Sequence, residues 1–190
     1  MKLDKILPFA QTLLAKAVQP GNIAVDATAG NGIDTLFLAK LTGNDGHVYA
    51  FDIQDEAIAA TSRRLQSAGM DNRSTLFLTG HENMKAMIPE SKYGKITAAV
   101  FNLGYLPGGD KTIATKADTT ISAIEQLLEI MAHEGIIVLV IYHGYPQGAD
   151  ERDSLLHYVS NLPQEQAHVL QYSFINQINH PPFIIAIEKR

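Results

Sequence analysis

From residue 20 onward, short apolar segments alternate with segments that have the character of helices. Strands are predicted at residues 22–27, 47–53, 74–80, 95–103, 135–143, 168–177 and 182–189. Helices are predicted between them at residues 34–40, 55–69, 119–135 and about 150–161. Strands separated by helices form parallel βαβ units, with helices on both faces of the sheet. The sequence therefore predicts an α/β fold with a doubly wound, mostly parallel, seven-stranded sheet.

The last two predicted strands are separated by only a few residues, which include the sequence NHPP. This connection is too short for a helical crossover, so one strand near the C-terminus is predicted to be antiparallel. In doubly wound sheets, ligands bind outside the carboxyl ends of the strands. Functional residues are therefore expected in the loops that follow residues 26, 52, 79, 101 and 142.

Composition narrows the classes of function. A chain of 190 residues that is 46% hydrophobic suits a single domain, 1–190, in which residues 1–20 provide an N-terminal helix. The absence of cysteine excludes disulfides and thiol nucleophiles. Neither a signal peptide nor a membrane span is apparent, which predicts a cytoplasmic protein without membrane contact. The net charge of -5 argues against extensive duplex binding but permits a local basic patch.

The loop after the first predicted strand, VDATAGNGIDT, is rich in small residues. Glycines let the backbone approach a ligand, and the N-terminus of the following helix presents free N–H groups. Gly30 and Gly32 fit a dinucleotide-binding pattern, but Thr35 stands where a third small residue is needed. An acidic residue followed by alternating small residues instead resembles the S-adenosylmethionine loop of Rossmann-like methyltransferases. Here that pattern consists of Asp26, Thr28, Gly30 and Gly32.

Two further loops supply candidate cofactor contacts. Asp52 ends the second strand, where its carboxylate can accept hydrogen bonds from both hydroxyls of a ribose. Such an acidic residue is common to nucleotide-binding folds and does not separate NAD from S-adenosylmethionine. His81 or Glu82 is expected beside the adenine, and without an HExxH pattern no metal site is predicted. The candidate cofactor-binding residues are Asp26, Thr28, Gly30, Asn31, Gly32, Asp34, Thr35, Asp52, Ile53, Gln54, His81, Glu82 and Asn102.

The loop after the fourth strand, NLGYLPGGD at residues 102–110, is expected to face the transferable methyl group. It resembles the Asn/Asp/Ser-Pro-Pro-aromatic loop of amino-group methyltransferases, with both prolines replaced. The resemblance implies that the Asn102 side-chain oxygen and the Leu103 carbonyl orient an amine, while Tyr105 packs on a base.

Other residues near this loop are candidates for substrate contact. Asp110 and His143 are weaker candidates for relaying the proton of the amine. Lys111 and Lys116 flank the loop and are predicted to meet RNA phosphates. The complete candidate set for substrate or RNA is Tyr105, Pro107, Gly108, Gly109, Asp110, Lys111, Lys116 and His143.

Four segments carry a narrower resemblance: DATAGNG, GHEN, NLGYLPGGDK with the TT beyond it, and HGYPQGADE. They resemble a small bacterial family of class I S-adenosylmethionine-dependent methyltransferases, long labelled rRNA methylases. The family includes the tRNA 5-aminomethyl-2-thiouridine methyltransferases. The resemblance implies methylation of the aminomethyl nitrogen of the wobble uridine, with the tRNA anticodon loop as partner.

Several alternatives stay open. The acceptor could be rRNA or a small-molecule amine, and the acidic net charge is compatible with a small-molecule acceptor. An NAD-dependent oxidoreductase is disfavoured by Thr35 and by the lack of a Tyr-x-x-x-Lys pair. A module that holds S-adenosylmethionine without turnover would not need the Asn-x-x-Tyr acceptor loop. A homodimer is a further hypothesis.

Overall fold

The computed structural model describes residues 2–190. In this range the strands are β1 (Ile23–Asp26), β2 (His47–Asp52), β3 (Ser74–Leu78), β4 (Ile96–Leu103), β5 (Met131–Ile141), β6 (Ala167–Tyr172) and β7 (Phe183–Lys189). The α-helices are α1 (Ile6–Ala17), α2 (Ile33–Thr42), α3 (Asp55–Ser67), α4 (Met84–Met87), α5 (Ala117–Ile130) and α6 (Pro146–Ser160). The single-turn helix α4 was not predicted, whereas each predicted strand and helix has a counterpart.

The strands form one sheet in the order β3-β2-β1-β4-β5-β7-β6. Strand β7 runs antiparallel to both of its neighbours, and the other pairings are parallel. This confirms the predicted mostly parallel sheet with one antiparallel strand near the C-terminus. The order of strands reverses between β1 and β4, so the loops at their carboxyl ends diverge and leave a crevice.

Alternation along β4 explains why two cores form. Phe101 and Leu103 are buried on the face covered by α4, α5 and α6. Val100 is buried on the opposite face, where α1, α2 and α3 pack. Because successive side chains of a strand point to opposite faces, Asn102 belongs to the same face as Val100. This assignment decides which groups Asn102 can contact at the end of the strand.

The helix predicted at residues 119–135 is shorter than expected, because α5 ends at Ile130 and β5 begins at Met131. The register of β5 against β4 shifts just after Met131, which is the signature of a β-bulge. Glu134 adopts a positive φ of 62° in this bulge. Gly135 therefore belongs to a bulged strand. The sequence-based prediction that it ends a helix is wrong.

Two other boundaries differ from the sequence prediction. Helix α6 begins at Pro146, four residues before the predicted start at Asp150. Proline is well suited to the first helical position, because its fixed φ is helical and the missing N–H has no intrahelical partner there. Strand β6 ends at Tyr172, well short of residue 177, and Ile175 and Ile178 in the following connection are exposed.

The predicted N-terminal helix corresponds to α1, which packs across β4 and β5 and contacts β7. Met1, part of the predicted 1–20 segment, lies outside the described residues. Over residues 2–190, no helix combines the length and apolar character needed to cross a membrane.

Candidate active site

A cavity of about 570 Å³ opens at the carboxyl ends of β1, β2 and β4, where the strand order reverses. Its volume lies in the range of pockets that enclose a nucleotide-sized ligand. The predicted site residues that line it are Thr28, Gly30, Asn31, Asp34, Asp52, Ile53, Gln54, His81, Glu82, Asn102, Tyr105, Pro107 and Lys116. The predicted residues that do not line it are Asp26, Gly32, Thr35, Leu103, Gly108, Gly109, Asp110, Lys111 and His143.

Asp26 is fully buried beneath the floor of the cavity, and so it is not available to contact a ligand directly. Its carboxylate accepts hydrogen bonds from Thr35 Oγ1 at 2.6 Å and from the Thr28 backbone N–H at 3.2 Å. Burial and the nearby charge of Asp34 raise the pKa of Asp26 to about 7. Asp26 and Thr35 therefore shape the first loop from below, which corrects the prediction that they touch the cofactor.

The two glycines of the first loop serve different purposes. Gly30 lines the cavity with a positive φ of 53°, and its N–H donates to Asp52 Oδ2 at 2.9 Å. Gly32 has a φ of 75°, and a Cβ at this position would lie only 2.8 Å from Thr61 Cα on α3. Gly32 is thus needed for the close packing of loop and helix, a role that the glycine pattern alone does not distinguish from ligand contact.

Asp52 is held rigidly at the end of β2. Its Oδ2 accepts the Gly30 N–H, and its Oδ1 accepts the Gln54 N–H at 3.0 Å. Each carboxylate oxygen has a second acceptor position, so the side chain can still receive two hydroxyl groups. Its position in the cavity fits the predicted contact with a ribose diol.

His81 is buried against the edge of Phe101, with 5.4 Å between the ring centroids. Its Nδ1 lies 3.0 Å from the Ala27 carbonyl oxygen. Because a carbonyl only accepts, Nδ1 must carry the proton, and Nε2 is left as an acceptor without a partner among the described residues. Burial lowers the pKa of His81, which keeps the ring neutral.

Asn102 lines the cavity at the end of β4 and is held by two hydrogen bonds. Its backbone N–H donates to Thr28 Oγ1 at 2.7 Å, and its Nδ2 donates to Asp34 Oδ2 at 2.6 Å. An ionised carboxylate accepts only, so it fixes the orientation of the amide. Oδ1 of Asn102 therefore remains available to a donor on the ligand.

The Leu103 carbonyl already has one backbone hydrogen-bond partner. The Leu103 side chain is fully buried, and its carbonyl accepts the Tyr142 backbone N–H at 3.2 Å. This bond continues the sheet beyond the end of β4. A carbonyl oxygen has a second acceptor position, so the part of Leu103 in orienting an amine stays a prediction.

Residues 104–116, called the acceptor loop below, fold back over the mouth of the cavity. Tyr105 forms an antiparallel bridge with Ala114, and the Thr115 N–H donates to the Gly104 carbonyl at 3.0 Å. Tyr105 meets the ring of Tyr145 edge to face, with 5.5 Å between centroids, and is 37% exposed. A partly exposed aromatic ring is thereby presented at the entrance.

A buried carboxylate fastens the end of the acceptor loop. Glu151 of α6 accepts hydrogen bonds from Thr115 Oγ1 at 2.7 Å and from Thr120 Oγ1 at 3.1 Å. Burial raises the pKa of Glu151, and the two hydroxyl donors act in the opposite direction. The loop, α5 and α6 are therefore joined at one point behind the cavity.

The two weaker proton-relay candidates are engaged elsewhere. Asp110 Oδ1 accepts the backbone N–H and the hydroxyl of Thr112, each at 2.8 Å, which makes it a turn cap and lowers its pKa. His143 Nε2 donates to the Pro181 carbonyl at 3.0 Å, and its Nδ1 accepts from Arg152 at 3.2 Å. Neither side chain lines the cavity, so neither is placed to relay a proton there, whereas contact of either residue with RNA stays a prediction.

The remaining predicted residues outside the cavity lie on the outer turn of the acceptor loop. Gly108 is exposed, and the N–H of Gly109 donates to the Leu106 carbonyl at 2.9 Å. Lys111 Nζ lies 5.6 Å from the centroid of the Tyr105 ring. These residues are exposed, whereas Leu106 of the same loop lines the cavity.

Sequence reasoning missed several residues of the cavity wall. Helix α1 contributes three of them, and others come from the acceptor loop and the segment after β5. Spacing within α1 predicts an amphipathic helix but not which loops it covers. The missed residues are Leu7, Ala10, Gln11, Ala27, Ala29, Ile33, Gly80, Val100, Gly104, Leu106, Ile113, Ala114, Thr115, Thr119, Val140 and Tyr142.

The fold and the position of the cavity are those of Rossmann-like class I methyltransferases. The family described as "Putative rRNA methylase" matches residues 48–188. The chain belongs to this family. It is also 35% identical over 193 residues to the chloroplastic tRNA (mnm(5)s(2)U34)-methyltransferase of Arabidopsis thaliana, which covers 97% of this chain and 70% of the relative.

Two solved structures are similar over essentially the whole chain. A crystal structure of a putative rRNA-methylase from Clostridium thermocellum has a TM-score of 0.96 and 40% identity, with 100% of each chain covered. A putative methyltransferase from Streptococcus mutans, solved in complex with S-adenosylhomocysteine, has a TM-score of 0.88 and 35% identity, with 99% of each chain covered.

Proposed function

We propose that the chain transfers a methyl group from S-adenosylmethionine to the aminomethyl nitrogen of 5-aminomethyl-2-thiouridine at the wobble position of tRNA. Membership of the family makes the chain an S-adenosylmethionine-dependent methyltransferase of RNA. The finer assignment to tRNA is supported by the Arabidopsis relative, which aligns with 97% of the chain.

The residues of the cavity fit this cofactor. Asp52 offers two acceptor positions to a ribose diol, and His81 lies in the cavity wall with a buried Nε2 that has no hydrogen-bond partner in the described chain. Gly30 lets the backbone come close to the ligand. S-adenosylmethionine would supply a methyl group on a positively charged sulfur, and the Asp34 carboxylate in the cavity wall would favour that positive charge.

The orientation of the Asn102 amide is the observation that carries the proposal of an amine acceptor. Asp34 holds the Nδ2 group, so Oδ1 is the atom presented to the ligand. An amine donates through its N–H groups, and an oxygen fixed in this way can position it for in-line attack on the methyl group. Because a sulfonium is already a good leaving group, such alignment supplies most of what catalysis needs.

The entrance fits a nucleobase that carries the amine on a short arm. Tyr105 offers a partly exposed ring for a base to stack on, and Lys116 in the wall can meet a phosphate. We therefore place the tRNA anticodon loop at this entrance. One methyltransferase domain, a cytoplasmic location and a homodimer remain predictions that accompany this proposal.

Nucleoside analysis of tRNA tests the proposal directly. Purified protein and S-adenosylmethionine should convert 5-aminomethyl-2-thiouridine to its methylated form in tRNA from a strain that lacks this protein. The same incubation with rRNA, and with small alkyl amines, serves as the comparison. Methylation of rRNA or of the small amines, with the tRNA nucleoside unchanged, would show that the acceptor is wrong.

A further inference from the structure

Methylation of an alkyl amine requires that a proton leaves the nitrogen first, because an alkyl ammonium ion has no lone pair to attack with. The proposed function does not identify the group that receives this proton. Asp110 and His143 lie outside the cavity and are already hydrogen-bonded. The acceptor must therefore be sought among the titratable groups that line the cavity.

The two faces of β4 separate these groups. His81 packs against Phe101, and so it lies beyond the opposite face of the strand from Asn102. Asp52 already receives a backbone N–H on each oxygen, at the end of the neighbouring strand β2. Asp34, by contrast, is in direct contact with Asn102, the residue that orients the amine.

Asp34 has one oxygen free for this task. Its Oδ2 accepts the Asn102 amide, whereas its Oδ1 has no hydrogen-bond partner among residues 2–190. We propose that Asp34 Oδ1 accepts the proton of the substrate ammonium group while Asn102 Oδ1 holds the same nitrogen. This inference rests on the proposed function, because only a protonated amine needs such a group.

The step balances without another reactant. The N–H bond of the ammonium ion breaks and its electron pair stays on nitrogen, while the proton binds the Asp34 carboxylate and gives a neutral carboxylic acid. The nitrogen then forms a bond to the methyl carbon, and the pair of the carbon–sulfur bond remains on sulfur. The product is a secondary ammonium ion and S-adenosylhomocysteine.

The surroundings of Asp34 suit a proton acceptor. Burial raises its pKa, and the hydrogen bond from Asn102 opposes this shift only in part. Asp26 lies beneath it on β1, and Tyr142 directly follows β5. Burial, together with the charge of Asp34, raises the pKa of both. Among the described residues of the cavity wall, Lys116 is the one lysine or arginine, and Asp52 and Glu82 are the other two carboxylates.

Helix α1 contributes Leu7, Ala10 and Gln11, which carry no charge. The balance of charge in the cavity is therefore negative. A positively charged amine is attracted into it, and a carboxylate with a raised pKa is a stronger base than one in water.

The test is the substitution Asp34→Asn, followed by single-turnover methylation of tRNA at saturating S-adenosylmethionine between about pH 6 and pH 9. The amide oxygen introduced by Asp34→Asn can still accept the hydrogen bond from Asn102, so the orientation of that residue is kept. Near neutral pH we expect the rate to fall by about 100-fold or more. As pH rises, the variant should regain about tenfold per pH unit, because the free amine then forms in solution.

The matched control is Asp71→Asn, an exposed aspartate at the amino end of β3, on the opposite edge of the sheet from the cavity. Its rate should equal that of the wild type at each pH. Calorimetric affinity for S-adenosylhomocysteine and the unfolding temperature show whether Asp34→Asn still folds and binds.

Two results would overturn the assignment of Asp34. One is a full rate in Asp34→Asn, and the other is a loss of equal size at every pH, which would indicate a structural role only. Failure of the wild type to methylate aminomethyl tRNA would instead overturn the proposed function and this inference with it. The wild-type reaction therefore separates the two failures.

Discussion

The first loop and the acceptor loop face each other across the cavity, and they are held in opposite ways. Residues 27–34 are bonded along their length to neighbouring elements: Gly30 to Asp52, Thr61 to the Gly30 carbonyl and Arg64 to the Asn31 carbonyl. The acceptor loop is fastened mainly at its two ends.

Between these ends, the outer part of the acceptor loop is bonded mostly to itself. The Gly109 N–H donates to the Leu106 carbonyl, and the Ile113 N–H donates to the Asp110 carbonyl. A fixed loop suits a ligand of constant shape, such as a cofactor. A loop tied only at its base can adjust to a large substrate, such as an RNA.

The strongest test of the fixed loop is the pH dependence of stability. Because the pKa of Asp26 is raised to about 7, the folded state binds this proton more tightly than the unfolded state does. Stability from this group is therefore complete below about pH 4 and is lost as pH rises through 7, by up to about 4 kcal/mol. Asp26→Asn should remove this dependence.

Unfolding in urea at several pH values measures the effect. The difference in free energy between Asp26→Asn and the wild type should shift in favour of the variant from pH 5 to pH 8. If the free energies of unfolding of the two proteins changed in parallel with pH, Asp26 would have an ordinary pKa and its burial would not destabilise the fold at high pH.

A pair of glycine substitutions compares the loops directly. At Gly32, an added Cβ would lie 2.8 Å from Thr61 Cα, so Gly32→Ala should cost about 3 kcal/mol or more through both strain and overlap. At Gly108, φ is 84° but nothing lies within 4 Å of the added Cβ. Gly108→Ala should cost only about 1 kcal/mol.

Denaturant unfolding of the two variants against the wild type supplies these values. Equal costs at Gly32 and Gly108 would contradict the contrast between a packed loop and an open one.

Asn102 stands where the two loops meet, and its removal should affect chemistry and leave cofactor binding intact. Asn102→Ala deletes the oxygen that orients the amine but keeps the backbone bond to Thr28. We expect the methylation rate to fall by about 100-fold. Affinity for S-adenosylhomocysteine, measured by calorimetry, should change by less than about threefold. Full turnover with this affinity unchanged would remove Asn102 from the acceptor site.

The contrast between the loops also explains what the sequence could predict. Apolar alternation predicted the sheet, because burial on both faces of β4 requires a continuous apolar segment. The pattern around Gly30 predicted the place of the first loop. Local spacing could not show that Gly32 packs against α3 or that Asp26 is buried below the cavity, since both depend on contacts with distant parts of the chain. The contributions of α1 and of Tyr142 to the cavity wall likewise depend on long-range contacts, which local sequence patterns do not reveal.

The fourth strand illustrates the same limit within two residues. Asn102 and Leu103 are neighbours in a motif whose resemblance implied one shared task. In the sheet, their side chains point to opposite faces of β4. The Leu103 carbonyl also accepts a backbone hydrogen bond from Tyr142. His143 and Asp110 were attractive as titratable groups near the right loops, but each is bonded to groups that no local pattern reveals.

The smallest effect is expected at the open end of the acceptor loop. Lys111 and Lys116 lie at the entrance, and reversing both charges, Lys111→Glu with Lys116→Glu, should weaken tRNA binding by roughly tenfold at low salt. The slope of log affinity against log salt should fall by about 0.7 for each phosphate contact that is lost. The control is Lys40→Glu with Lys95→Glu, because both lysines are exposed at the amino edge of the sheet. If the control weakened tRNA binding as much as the test pair did, the RNA would not be approaching through the acceptor loop.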